Sequence, residues 1–280
     1  MGNKARSGLP RGVKDRAAES KSRLDTLRAD YTKSGYTLQL SDYMLRKYYS
    51  GVREYLSELN QYQTALGENS DIIREAGGSV DIVPMGQYIL GDSGANGDIR
   101  MNSKFVGSQQ LVDTLPHEHT HNLVDALITK ELGHPRGTPE FNQARQDAIM
   151  YQSINTEALK AWKADQLAQT KAALREAEKK FPIVQDDEFG PIKNQAIIDL
   201  ERKRDTISNI TTPYEAAKFT GMRDYAIRDY WYAPKGAGIE IPTVAAENFV
   251  KARYNWDALK LNSSYSYYVL QELKKRIKKK

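Results

Sequence analysis

Residues 108–135 read Ser-Gln-Gln-Leu-Val-Asp-Thr-Leu-Pro-His-Glu-His-Thr-His-Asn-Leu-Val-Asp-Ala-Leu-Ile-Thr-Lys-Glu-Leu-Gly-His-Pro, and all four histidines of the chain fall inside this stretch. Leu111, Val112, Leu115, Leu123, Val124 and Leu127 make it apolar enough to be buried. Ser108 is a capping residue type, and Gly133 followed by Pro135 is a typical close. The pattern predicts a helix from Gln109 to about Leu132. Pro116 removes one helical hydrogen bond just before the histidines, so a kink or a start at that point also fits.

Inside the helix, His117-Glu118-His119-Thr120-His121 fits H-E-x-x-H. Residues four apart differ by about 40° in direction and lie one turn apart, so His117 and His121 can offer two imidazole nitrogens to one ion. Glu118 then stands beside the ion without binding it, placed as general base for a water that the metal activates. With no cysteine in the chain, a metal must be held by His and carboxylate, a donor set that suits Zn²⁺. The same five residues also occur by chance in exposed helices, but the apolar flanks here argue for burial. His119 points nearly opposite the pair and reads as structural, and His134 lies past the helix end, in a loop. Asp125 follows His121 by one turn and reads as the acceptor for the second ring N–H of a ligand histidine; the alternative is a third ligand. The stronger third-ligand candidate is Glu247, set beside Val244, Phe249 and Val250, because a carboxylate in apolar surroundings needs a partner.

Upstream, Gly77 to Phe105 alternates in short runs, Val80–Val83, Gln87–Leu90 and Asp98–Asn102, with Asp92 to Gly97 as a turn. This predicts a small antiparallel sheet. Further out, Ser41-Asp42 caps a helix to about Leu66, and residues 1 to about 11 read as a flexible basic leader. Downstream, helices are predicted from Thr138-Pro139 to Lys180, from Pro191 to Ile210, from Thr212-Pro213 to Tyr230, from Pro242 to about Tyr254 and from Ser263 onward. The fold class is therefore α+β and predominantly helical. The boundaries are an N-terminal helical region over 1–70 and a second domain over 71–280 carrying a helical insertion at about 138–210.

The chain resembles the zincin metallopeptidases with a glutamate third ligand, most specifically the anthrax lethal factor catalytic-domain type and related phage-encoded and toxin-borne peptidases. Three segments carry the likeness in order: the Gly86–Asn102 hairpin, His117–His121 followed by Asp125, and Glu247-Asn-Phe-Val-Lys-Ala252. The resemblance implies a zinc endopeptidase with a substrate-binding edge at Tyr88, Ile99 and Met101, ligands His117, His121 and Glu247, and base Glu118. It also implies a tyrosine oxyanion donor a few residues before the ligand glutamate. This chain has Glu240 there, which leaves Tyr230, Tyr232 and Tyr254 as candidate donors. The likeness covers roughly residues 77–133 and 212–277.

The net charge of +5 comes from the ends, since Lys274, Lys275, Arg276, Lys278, Lys279 and Lys280 alone supply six positive charges. Basic ends read as solvated termini or as a surface for nucleic acid or another acidic partner. A competing function is therefore a virion-associated structural protein that binds nucleic acid or partner proteins through those ends. A third is a toxin effector domain. No apolar run approaches the roughly 18 to 20 residues of a membrane span, and no signal peptide is visible, which leaves the compartment open.

Overall fold

The computed structural model describes residues 11–108, 111–181, 184–186, 190–192, 194–222 and 238–279. α1 (Arg11–Lys33) lays Leu24, Leu27 and Tyr31 against α2 (Asp42–Leu66). The Ser41 side chain accepts from the Met44 N–H, and Gly67 ends α2 at φ 71°, where a side chain would be strained. The buried face of α2 repeats at Leu45, Val52, Tyr55, Leu59, Tyr62 and Leu66, the spacing its sequence predicts.

β1 (Thr37–Leu38), β2 (Ser79–Val83), β3 (Gly91–Ser93) and β4 (Ile99–Asn102) form one sheet in the order β1-β2-β4-β3, with α2 and the short helix α3 (Ser70–Ala76) between β1 and β2 in sequence. The sheet is mixed rather than antiparallel: β1–β2 and β2–β4 are parallel, and β3–β4 alone is antiparallel. The run at 87–90 forms no strand. Asn102 Nδ2 donates to the carbonyls of Gly86 (3.1 Å) and Ile89 (2.7 Å), which folds that segment into a turn and moves the hairpin strand on to Gly91. The boundary expected near residue 70 does not separate two cores: Tyr55 and Leu59 pack with Val80, Ile99 and Met101.

α4 (Thr114–Leu132) starts five residues later than its sequence pattern suggests, with Asp113 as the capping position and Pro116 in the first turn where a missing N–H breaks no bond. Leu115 belongs to the sheet-side core, while Leu123, Val124, Leu127 and Ile128 belong to a second, helical core. Each such burial contributes about 2 kcal/mol, so α4 is anchored at both ends and carries its histidines at the junction. The helical core is completed by α5 (Pro139–Gln146), α6 (Ile149–Lys180), α7 (Gln195–Asn209), α8 (Pro213–Phe219), α9 (Glu240–Lys251), α10 (Trp256–Asn262) and α11 (Ser264–Lys278). A small hairpin of β5 (Val184–Asp186) and β6 (Gly190–Ile192) links α6 to α7, so Pro191 sits in a strand rather than at a helix start. The segment expected to continue α8 toward Tyr230 lies largely outside the described residues.

Part of the C-terminal basic run is tied to other helices, while Lys275, Lys278 and Lys279 are exposed. Lys130 Nζ donates to the Ile277 carbonyl (2.9 Å), Arg276 bonds Glu131, Glu272 and Ser153, and Lys274 Nζ reaches the Ala65 carbonyl and stands over the Trp256 ring. Among the described residues no helix is long and apolar enough to cross a membrane.

Candidate metal centre

His117 and His121 leave the same face of α4 with ring centroids 5.3 Å apart. Both Nε2 atoms face one buried carboxylate, Glu240, the first residue of α9. Its Oε2 is 3.2 Å from His117 Nε2 and its Oε1 is 3.6 Å from His121 Nε2. Thr243 Oγ1 donates to Glu240 Oε2 (2.8 Å), which fixes the carboxylate at the helix start. Behind the rings, His117 Nδ1 meets Glu247 Oε1 at 2.9 Å and His121 Nδ1 meets the Tyr151 hydroxyl at 2.8 Å. Glu240 and Glu247 are seven residues apart, two turns along one face of α9, and so grip His117 from opposite sides.

Glu118 Oε1 lies 4.0 Å from His117 Nε2, and Glu118 accepts a hydrogen bond from the Ser93 side chain. Ser93 is on β3, an edge strand of the sheet among the described residues. A Cβ on Gly91 of the same strand would come within 2.7 Å of Thr114 Cγ2, so only glycine lets the edge strand lie this close to α4. Residues of β3, α4, α5, α6 and α9 together line a cleft of about 160 Å³, with His117, Glu118, His121 and Glu240 in its wall.

The histidines and carboxylates of the cleft shift one another's pKa values. Burial alone would lower the His117 pKa, but its hydrogen bonds to Glu240 and Glu247 and the charge of Glu118 outweigh that and hold it well above the ordinary value. Burial would raise Glu240, yet the charge of His121 and the hydrogen bonds from both histidines hold it well below the usual carboxylate range. Burial pushes Glu118 up, offset in part by the two histidines. Three buried carboxylates around two imidazoles are costly in a low-dielectric interior unless a positive charge compensates them.

Several expected roles change. Glu247 meets His117 Nδ1, the ring nitrogen opposite the one that faces Glu240, and does not line the cleft. Asp125 does not orient His121, because Tyr151 holds that Nδ1 and Asp125 pairs instead with Arg145 Nε at 2.8 Å. Tyr254 donates to the Glu58 carboxylate and backbone, away from the cleft. Tyr230 and Tyr232 lie outside the described residues. Ile99 and Met101 are fully buried on β4, which is paired on both sides, so neither can form a sheet edge; Tyr88 is 89% exposed in the turn before β3.

His119 is buried opposite the pair, bonded to the Tyr36 hydroxyl (2.7 Å) and Glu68 (2.9 Å), a structural histidine as its direction on the helix predicts. The sequence reading missed Glu240 as a partner of both histidines, and missed Tyr151 and Arg145, which reach the cleft from the helices read as an insertion.

His117, Glu118 and His121 offer atoms within 4.8 Å of one another and could hold a metal ion. The residues fit such an ion. Once His117 gives up its second proton, the carboxylate on Nδ1 keeps the remaining one there and frees the Nε2 lone pair for the cleft. Comparison of the chain with protein-family models, curated proteins and solved structures finds no match in any of the three.

Proposed function

We propose that the protein is a zinc-dependent endopeptidase of the zincin kind, with His117, His121 and Glu240 as metal ligands and Glu118 as general base. The observation that carries this reading is the convergence of both Nε2 atoms on one buried carboxylate while Glu247 and Tyr151 hold the opposite ring nitrogens. Two imidazoles and a carboxylate suit Zn²⁺, and they leave a fourth position for water or substrate. When bound there, zinc would supply Lewis acidity toward a peptide carbonyl and make a nearby water more acidic.

The chain's own residues do the rest. Glu118 is positioned by Ser93 to take a proton from that water and return it to the leaving amine, and its burial, which favours the protonated form, suits it to hold the proton between the two steps. Glu247 and Tyr151 keep the two rings aimed. Among the described residues β3 is an edge strand beside Glu118, where an extended peptide can add as a further strand. The reading therefore places substrate along Gly91–Ser93 rather than along Tyr88, Ile99 and Met101.

The test is Glu118→Gln. The variant is expected to keep about one zinc per chain and to lose peptide cleavage by about a hundredfold or more. Cleavage retained by this variant would end the mechanism.

A further inference from the structure

We infer that Arg145 recognises a carboxylate of the substrate, so that the peptides cut here carry an acidic side chain, or a free C-terminus, close to the scissile bond. This rests on the zinc peptidase reading above and adds its substrate class. Arg145, on α5, lines the cleft together with His121 and Tyr151. Its Nε donates to Asp125 Oδ2 at 2.8 Å, and Asp125 is itself buried to 1% exposure, so the guanidinium is anchored from below while the side chain keeps 34% of its surface open.

The anchor also sets the position. Asp125 follows His121 by four residues, about 6 Å along α4, so the guanidinium is tethered one turn beyond His121, past the end of the ligand pair. It therefore flanks the reacting carbonyl rather than facing it, at the place of a neighbouring side chain or a chain end. A planar guanidinium with five N–H donors matches a carboxylate and keeps its charge at any working pH.

The experiment uses the zinc-loaded protein and matched peptides differing only as Glu, Gln or Lys at each position flanking the cleaved bond, with a second set ending in a free carboxylate or an amide. The expected result is a preference of about ten- to a hundredfold in kcat/KM for Glu over Gln, or for the free terminus over the amide, the scale of a hydrogen bond to a charged group. The set that shows it identifies the source of the carboxylate.

Arg145→Gln is expected to bring the preferred peptide down to the level of its neutral match through KM. Arg145→Lys, which keeps a cation for Asp125, retains part of the preference and guards against a folding defect. Equal cleavage of charged and neutral peptides by the wild type overturns the inference and leaves the peptidase reading standing. A loss of kcat in Arg145→Gln on every peptide alike also overturns it, because that would place the guanidinium at the reacting carbonyl. No cleavage of any peptide by the zinc-loaded wild type removes the inference together with the reading beneath it.

Discussion

Replacing Glu247 with Gln separates the two glutamates of α9 by their effect on zinc. The carboxylate meets His117 Nδ1 at 2.9 Å, on the far side of the ring from Glu240. Adding the ring and a bond of about 2 Å to the metal, Glu247 stands roughly 7 Å from a bound zinc. One charge against two at that separation is worth about 1 kcal/mol in water and about 5 kcal/mol at an effective dielectric of 20. Lys251, 3.6 Å from Glu247, offsets part of this, and glutamine keeps a carbonyl acceptor for the ring N–H.

The expected loss is therefore about 2 kcal/mol, close to thirtyfold in zinc affinity and inside the range for groups that orient a ligand. Glu240→Gln removes an anionic donor from the metal itself and is expected to cost more than about a hundredfold. Competition of each variant against a chelating dye measures both. A larger loss in Glu247→Gln than in Glu240→Gln would refute the assignment and return the ligand role to Glu247.

Tyr151→Phe removes the hydroxyl on His121 Nδ1 and should weaken zinc by about tenfold or more with little change in thermal stability, read in the same dye assay. His119→Ala strands the fully buried Glu68 carboxylate and should destabilise by about 3 kcal/mol or more in denaturant unfolding while leaving zinc content unchanged; a cost below about 1 kcal/mol would refute the structural role of His119.

In chelator-stripped protein the raised His117 pKa means stability that is present below pH 6.5 and lost as the pH rises through the folded value. Zinc binding at neutral pH should then release a proton, seen as a dependence of the calorimetric heat on the buffer's ionisation enthalpy; no such dependence would contradict a protonated His117. Deleting residues 274–280 should lower stability, because Ile277 is buried and Lys274 and Arg276 bond other helices.

The chemistry of α4 is legible in the sequence because it rests on local spacing: His117 and His121 share a face whatever surrounds them, and His119 must then point the other way. The proposed third ligand is not, for two physical reasons. Glu240 and Glu247 lie on one face of α9 two turns apart, so periodicity cannot say which of them reaches across to α4.

Pro242 also invites a helix start at itself, whereas α9, like α4 with Pro116, takes its proline as the third residue and begins two positions earlier. Glu240 thus falls just outside the helix that the sequence suggests. The partners Tyr151 and Arg145 come from α6 and α5, whose polar, alanine-rich run gives no sign that its first turns reach the cleft. The hairpin register was lost to a side chain: Asn102 captures the Gly86 and Ile89 carbonyls and makes a turn of the segment that alternates like a strand.

The central claim is that His117, His121 and Glu240 form one metal site, and the zinc content of the purified wild-type chain after dialysis against a weak chelator tests it most directly. About one zinc per chain is expected, falling to none in His117→Ala. A wild-type chain that retains no zinc and takes none up when it is supplied would contradict the account.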